Sequence, residues 1–423
     1  MAAHPIRVVV TDDRRRSRLT VFFRLFLAIP LAIWWALWSV AAIVAGIANW
    51  FATLVKGISP LPLHRFLAAY IRFSTHFFAY LYLAANPYPS FDGTSGYPVD
   101  CEIDPPERQN RWKVGFRLIL ALPALVLASV LVGGGIGGGA NGAGNENGNS
   151  GGYGSAGVIT TVAFLAWFAC LARGRMPRGF RDLQAYLLRY GAQTWGYALM
   201  LTDRYPTADT EDPAPTETAP PHPVTVEVTD DEHRSRLTVF FRLLLAFPHF
   251  VWFLLWVAAI TIIAIPVWLI VLIMGRMPEA LHRFFAAFVR YSAHLTSFVY
   301  LIANPFPGFT GAPGYPVDAA IAPPERQNRW VIAFRAVLMI PALIVVGGVG
   351  TAVGVGSFFA WFASLATGRM PHGFRNLGAY YVRYAAQVNA YLFLLTDRYP
   401  DSGPSTARGT DEPQLELELA PTP

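Results

Sequence analysis

A fourfold internal repeat is the feature of this sequence that most constrains its fold. Each copy sets the same residue types at the same intervals, which in the first copy are Arg18, Arg24, Pro30, Trp50, Pro60, Arg72 and Pro89. The second copy differs at one point, because 44 residues separate Pro123 from Trp167 where the other copies have 20, which leaves 24 inserted residues. Fixed spacing of this kind predicts one supersecondary unit per copy.

The composition is that of an integral membrane protein. Hydrophobic residues make up 54% of the chain and charged residues 14%, whereas soluble domains carry about 25% charged residues. Three apolar runs, residues 25–55, 243–275 and 336–368, contain no Lys, Arg, Asp or Glu. These runs of 31 to 33 residues exceed the ~20 residues that one helix needs to cross a bilayer. Each run is therefore predicted to be divided.

The insertion in the second copy indicates where such a run divides. Residues 133–157 include 13 glycines and interrupt the apolar run near its middle, and a flexible coil cannot lie exposed in hydrocarbon. We therefore predict helical hairpins whose tips tolerate a long loop. Arginines flank both ends of each run while the tips carry none, which predicts cytoplasmic ends and outward tips. The predicted fold is an all-α, multi-pass (polytopic) protein of the bacterial plasma (inner) membrane, with four hairpins, about eight transmembrane helices and cytoplasmic termini.

Two further elements are predicted in each copy. A short alternating segment, such as Val99, Cys101 and Ile103, is typical of a half-buried strand, and the four strands are predicted to pair into one small cytoplasmic layer. A third helix follows each hairpin, between Pro60 and Pro89 in the first copy. We predict four such amphipathic helices at the inner membrane interface, because a crossing there would invert the next copy and place its arginines outside.

The repeat also predicts the domain boundaries. Residues 1–206 form the first membrane half, with sub-repeats 1–89 and 97–206 and an extracytoplasmic insertion at 133–157. Residues 223–400 form the second half, with sub-repeats 223–307 and 315–400. The acidic, Pro-rich residues 207–222 and the similar residues 401–423 are predicted to be a disordered linker and a disordered tail.

The motifs that close each hairpin and each third helix resemble those of one known family. The sequence Gly-Arg-Met-Pro occurs at residues 174–177, 275–278 and 368–371, and the closing stretches Ala-Asn-Pro-Tyr-Pro and Leu-Thr-Asp-Arg-Tyr-Pro occur at 85–89 and 201–206. These motifs resemble the uncharacterised bacterial membrane family called domain of unknown function 4389, in two tandem copies with four sub-repeats. The first copy departs from it with Gly57-Ile58-Ser59-Pro60. The resemblance implies a membrane location and no particular activity.

Two sets of repeated positions are candidate sites. The first set offers two guanidiniums per copy that are placed to clamp an anionic lipid headgroup: Arg24, Arg72, Arg117, Arg189, Arg242, Arg290, Arg335 and Arg383. The second set shares a face of the third helix and predicts a packing seam against the hairpin: His76, Gln193, His294 and Gln387. The alternatives are that the arginines preceding the hairpins are topology anchors that extend to lipid phosphates, and that the second set lines a binding groove.

The sequence gives no pattern for catalysis. It contains no His-Glu-x-x-His or Gly-Lys-Ser/Thr motif, and no Cys or carboxylate cluster accompanies its histidines at metal-ligand spacing. We therefore expect no enzyme activity, no catalytic residues, no cofactor, no metal and no nucleic-acid partner.

The sequence favours a non-enzymatic scaffold or adaptor that binds partner proteins or anionic lipid at the cytoplasmic face. A passive channel or transporter for a small solute is the alternative. The charge-free runs disfavour it, because transport sites usually place ionisable groups near mid-membrane. Membrane lipids and a membrane or cytoplasmic protein are the expected partners, and the sequence leaves that protein, any ligand and the oligomeric state undetermined.

Overall fold

Each repeat contributes one short strand, one or more apolar helices and one further helix. The computed structural model describes residues 4–133, 157–210 and 222–404. The strands are β1 (Ile6–Val10), β2 (Val99–Ile103), β3 (Val224–Val228) and β4 (Val317–Ile321). The apolar helices are α1 (Arg18–Lys56), α3 (Arg111–Gly115), α4 (Arg117–Leu131), α5 (Val158–Arg173), α7 (Arg236–Met274), α9 (Arg329–Leu338) and α10 (Ile340–Thr367). The helices that follow them, which we call the core helices, are α2 (Leu61–Leu81), α6 (Arg178–Ala198), α8 (Glu279–Val299) and α11 (His372–Leu392).

Continuous helices replace the predicted hairpins. Helices α1 and α7 each run unbroken for 39 residues, and α10 runs for 28. The prediction of four hairpins and eight membrane helices is therefore not confirmed, because in these runs the helix continues, even through the prolines of α1 and α7, to a glycine at its C-terminal cap. In α1 that residue is Gly57, whose φ of 74° is left-handed and whose N–H caps the carbonyl of Thr53. Helices α1, α7 and α10 are each long and apolar enough to cross a membrane, as in a membrane protein.

The insertion of the second repeat leaves and rejoins the fold at neighbouring points. A Cβ added to Gly157 would collide with the backbone of Val132 and Gly133. Helices α4 and α5, on either side of the insertion, both pack against α6, and in the repeat they correspond to the single helix α10. Residues 134–156, and with them the predicted outward tip, lie outside the described residues.

The four strands form where the alternating pattern predicts them, but in two sheets. Strand β1 pairs antiparallel with β2, with Val8 opposite Cys101. Strand β3 pairs antiparallel with β4, with Val226 opposite Ala319. The prediction of one shared layer is wrong, because each pair of repeats closes its own ladder.

Each core helix packs against a strand, and three of the four also pack against apolar helices. In the first unit α2 packs against α1 and β2, and α6 packs against α4, α5 and β1; in the second unit α8 packs against α7 and β4, and α11 packs against β3. Aromatic contacts fill the first interface, where the Trp38 ring stacks at 5.2 Å on that of Phe73. The aromatic positions of these helices therefore face protein, and their place at the membrane interface stays a prediction.

Contacts divide the chain into two units. The first comprises residues 1–217, 340–359 and 401–404, and the second comprises residues 218–339, 360–400 and 405–423. The predicted linker falls largely outside the described residues, but its first residues, 207–210, lie against α6. There the Tyr186 hydroxyl donates a hydrogen bond to the carbonyl of Ala208 at 2.8 Å. The ordered part of the first half therefore extends beyond residue 206.

Replacement of Gly311 by alanine tests the turn that precedes β4. Gly311 has a left-handed φ of 64°, and an added Cβ would collide with the Ala287 carbonyl and lie 2.9 Å from the Tyr291 nitrogen. We expect Gly311→Ala to lower the free energy of unfolding by about 2–3 kcal/mol. The control is Gly308→Ala, where nothing lies within 4 Å and about 0.5 kcal/mol or less is expected. Equal unfolding temperatures of the two variants in mild detergent would contradict this account of the turn.

Candidate functional site

The second arginine of every repeat is buried near the start of an apolar segment. The buried arginines, each no more than 3% exposed, are Arg24, Arg117, Arg242 and Arg335. Arg24 Nη1 donates to the carbonyl oxygens of Tyr80 (2.5 Å) and Ala85 (2.9 Å), and Nη2 donates to Asn86 Oδ1 (3.2 Å). Its Cζ lies 4.4 Å from the centroid of the Tyr80 ring. These acceptors lie at and just beyond the C-terminal end of α2, where unpaired carbonyls and the helix dipole favour a cation. We call this arrangement the arginine clasp.

The odd repeats add a second buried arginine to the clasp. Arg16 donates through Nε (3.1 Å) and Nη2 (2.9 Å) to the carbonyl of Leu83, and its Nη2 lies 2.7 Å from Asp12 Oδ2. Leu83 follows α2 with a left-handed φ of 68°, so these bonds hold a strained turn. The third repeat forms the same contacts, from Arg234 to Asp230 and Leu301 and from Arg242 to Phe298, Ala303 and Asn304.

The even repeats reach the same geometry with glutamine. Gln109 Nε2 donates to the carbonyl of Met200 (2.6 Å), which has a left-handed φ of 60°, and its Oε1 accepts from Arg117. Arg117 also lies 3.4 Å from Asp203 Oδ1 and stacks at 4.1 Å on the ring of Tyr197. In the fourth repeat Gln327, Leu394, Arg335 and Tyr391 occupy the equivalent positions.

Four of the eight lipid-site candidates are the buried arginines of the clasps. The guanidiniums of Arg24, Arg117, Arg242 and Arg335 donate to the protein's own oxygen atoms. Lipid binding by these residues stays a prediction, and their burial argues against it, because a headgroup would have to displace bonds to carbonyls that have no water to replace them.

The other four candidates lie on the core helices and face the strands or nearby loops. Arg72 Nε donates to the carbonyl of Cys101 (3.0 Å) and Arg290 Nε to that of Ala319 (3.1 Å). Arg189 donates to the carbonyl of Asp209 and lies over the ring of Tyr186, and Arg383 lies over that of Tyr380. The structure therefore does not bring the two arginines of one repeat together around a common pocket.

The predicted packing seam joins each core helix to a strand. In the odd repeats Nε2 of a histidine meets an aspartate Oδ1, in the pairs His76–Asp100 (2.8 Å) and His294–Asp318 (2.9 Å). In the even repeats a glutamine Nε2 donates to a strand carbonyl, from Gln193 to Ile6 and from Gln387 to Val224, both at 3.1 Å. The polar atoms of these side chains find their partners in the sheet, and packing of the seam against the apolar hairpin stays a prediction.

Exposed arginines open the apolar segments, and they are the functional candidates that the sequence-based clamp left out. We call them the arginine rim: Arg18, Arg111, Arg236 and Arg329. Arg18 Nη2 donates to the carbonyl of Ala172 at 3.0 Å, which leaves most of its five donors facing outward. Large exposed apolar side chains adjoin it, among them Leu19, which is 70% exposed. The signal available in the sequence is their position as the first residue of each helix.

A buried cysteine adjoins the histidine–aspartate pair of the first repeat. His76 and Asp100 adjoin Cys101 in the first unit, but burial raises the pKa of the Cys101 thiol to about 12, so it is not a thiolate nucleophile at neutral pH. In the second unit the residue equivalent to Cys101 is Ala319, which lies opposite Val226 of β3. Among the described residues no group of three His, Cys, Asp or Glu side chains is placed to hold a metal ion.

One family model matches this chain. The model described as Domain of unknown function (DUF4389) matches four segments, residues 18–92, 155–208, 236–310 and 329–402. One segment falls in each of the four repeats, in the second only from the end of the insertion onward, and together they cover more than half of the chain. No curated protein and no solved structure matches it.

Replacement of Arg24 by glutamine tests the clasp. The variant removes charge-assisted donors from the carbonyls of Tyr80 and Ala85, so we expect the free energy of unfolding to fall by about 2–4 kcal/mol. The control is Arg15→Gln at an exposed position, for which about 0.5 kcal/mol or less is expected. Thermal unfolding in mild detergent measures both, and an equal effect would show that the clasp does not stabilise the fold.

The histidine seam predicts an acid-sensitive fold. Burial lowers the pKa of His76 and His294 below the usual value, against the opposing hydrogen bonds of Asp100 and Asp318. The unfolded chain therefore binds protons first, and this contribution to stability, complete above about pH 6.5, is lost as the pH falls toward the folded-state pKa. The double variant His76→Gln, His294→Gln copies the even repeats, so we expect its unfolding temperature to fall less between pH 7.5 and 5.5.

The control for this profile is His233→Gln at an exposed position, which should keep the wild-type slope. Some acid sensitivity should persist in the double variant, because burial also lowers the pKa of His4, to about 4. A double variant with the full wild-type slope would contradict the assignment.

Proposed function

The chain belongs to the family described as Domain of unknown function (DUF4389), and from this premise we propose that it is a non-enzymatic membrane scaffold or adaptor. In this proposal it lies at the cytoplasmic face of a bacterial inner membrane, with both termini in the cytoplasm. There it holds anionic lipid and partner proteins. The observation that carries the proposal is the contrast between buried arginines that donate to the protein's own carbonyls and an exposed surface of apolar helices that begin with arginine.

Anionic headgroups are the lipid chemistry that the arginine rim fits. Arg18, Arg111, Arg236 and Arg329 are exposed, and each stands at the boundary between apolar side chains and polar loops. A guanidinium binds phosphate through paired donors and gains about 1 kcal/mol near an anionic membrane surface. Two exposed tryptophans, Trp112 (80%) and Trp330 (73%), directly follow rim arginines, as aromatic side chains do at headgroup level.

The interior favours a scaffold over a solute pathway. A cavity of about 240 Å³ in the second unit is lined mainly by apolar side chains, among them Trp268 and Phe285. Its one charged side chain, Arg335, already donates to Tyr391 and Gln327. Such a surface fits an apolar chain better than a hydrated solute.

The rim arginines can be tested together. In the variant Arg18→Gln, Arg111→Gln, Arg236→Gln, Arg329→Gln, we expect native mass spectrometry from mild detergent to show loss of co-purified anionic lipid. Each arginine is worth about 1 kcal/mol, or roughly fivefold in lipid affinity. The control is Arg7→Gln on β1, whose guanidinium pairs with Asp104 at 3.0 Å and which should retain the lipid.

Reconstitution in liposomes tests the scaffold assignment itself. A scaffold should produce no solute-dependent leak in a flux assay, for the wild type or the rim variant. A selective solute flux would replace this proposal with the channel or transporter, and unchanged anionic lipid on the rim variant would remove the lipid part alone.

A further inference from the structure

We propose that α1 and α7 lie flat within one leaflet of the bilayer, with their long axes parallel to the membrane plane. The inference rests on the membrane role proposed above and specifies its geometry: the partner surface is the hydrocarbon of a single leaflet. It takes the place of a crossing arrangement for these two helices. Five observations support it.

Helix α1 is attached to its own unit along its whole length. Its buried residues form one stripe at helical spacing: Val21, Arg24, Ala28, Leu31, Ala42, Gly46, Asn49 and Thr53. Half-buried Trp35, Trp38 and Ser39 fill the middle of the stripe. The remaining faces are apolar and exposed from Leu19 (70%) to Val55 (71%). Helix α7 repeats this pattern, with Leu237 71% and Ile273 65% exposed.

The dimensions of α1 fit a leaflet and do not fit a crossing. Its 39 residues span about 58 Å, while the hydrocarbon core is ~30 Å thick. Whichever ~20 residues crossed, the rest would present equally apolar side chains to water, either near Phe22 (57% exposed) or near Phe51 (58% exposed). A helix ~10 Å across lying flat fits into the ~15 Å of one leaflet.

The sheet that α2 separates from α1 carries charged side chains. Helix α2 packs along α1, and on its other side it contacts β2, where Arg7, Glu102 and Asp104 of the two-stranded sheet form an exposed charge cluster. A tilt of α1 into a perpendicular position would bring part of this attached layer into hydrocarbon, at a cost of several kcal/mol per charge. With α1 in the plane, the sheet stays in water.

Cationic side chains stand at both ends of α1. Arg15 and Arg18 are exposed at its start, and Lys56 is exposed at its end, where Ile58 bridges to exposed Arg108. A crossing helix would leave one of these groups on the outer side of the membrane, against the cytoplasmic preference of Lys and Arg. A helix in the plane keeps both ends on the cytoplasmic side.

The second repeat runs in the opposite direction to the first. Trp50 Nε1, near the end of α1, donates to Val114 in α3 (2.9 Å), and Trp167 Nε1, near the end of α5, donates to Val21 near the start of α1 (3.2 Å). If these helices crossed the membrane, the equivalent arginines of the two repeats would lie on opposite sides. In the plane of a leaflet, antiparallel repeats present the same face to lipid.

Cysteine labelling at three positions tests the arrangement. The background is Cys101→Ala, Cys170→Ser, since both native thiols are free and buried and the fourth repeat has Ala319 and Ser364 at these positions. Single cysteines are then placed at Thr11, which is exposed before α1, at Glu107, which is exposed beside its far end, and at Asn145 in the insertion. A membrane-impermeant maleimide is applied to intact cells and to inside-out vesicles, with detergent-solubilised protein as the full-labelling reference.

We expect all three cysteines to react in inside-out vesicles and none in intact cells. Labelling of Thr11→Cys and Glu107→Cys from opposite sides would overturn the inference in favour of a crossing helix. Labelling of Asn145→Cys alone from outside would overturn it in favour of a hairpin. Either result leaves lipid retention by the arginine rim intact, so it is distinguishable from failure of the proposed function, whereas labelling of all three from outside would keep the flat helix and reverse the leaflet.

Discussion

A guanidinium buried beside the end of a helix needs acceptors that cannot be supplied by water, and this need shapes each repeat. A charged group without such partners would cost several kcal/mol in a protein interior. The last carbonyls of a core helix provide them, since they have no partner within the helix. The arginine clasp therefore fixes the start of α1 against the end of α2, as the bonds from Arg24 to Tyr80 and Ala85 show. The chain makes its left-handed turn directly after this junction and then enters the strand that pairs with the neighbouring repeat.

The repeats preserve this junction as a set of bonds and vary the residues that make them. The donor is Arg16, paired with Asp12, in the first repeat and Gln109, bonded to Arg117, in the second. Each donates an N–H to the carbonyl of a residue with left-handed φ, Leu83 for Arg16 and Met200 for Gln109. The seam behaves in the same way, since histidine–aspartate pairs and glutamine–carbonyl bonds both join a core helix to a strand. Function assigned to one side-chain type at these positions would have to be absent from every second repeat. A structural role explains all four copies.

Sequence reasoning reached the local structure and missed the contacts between distant elements. The strands lie where alternation predicts them, and each core helix begins directly after the proline that predicts its start, as α2 does after Pro60. The burial of Arg24 was not predictable from its surroundings, because its acceptors lie 56 to 62 residues further along the chain. The predicted hairpins are not confirmed, for a different reason. The length of an apolar run limits how it can cross a bilayer, but it does not require the run to cross.

The position of the insertion gives an independent constraint on that choice. Residues 133–157 are rich in glycine and asparagine and join the fold at the junction of α4 and α5, which is the middle of the second apolar run. A segment of this polar composition reaches water only if the middle of the run lies near an aqueous surface. The middle of a perpendicular helix lies at the centre of the bilayer, which excludes that attachment. A helix in the plane of a leaflet has no part that is deeper than any other, so its midpoint is as close to the headgroups as its ends. The same geometry therefore accounts for arginines at both ends of a run and for a polar insertion between them.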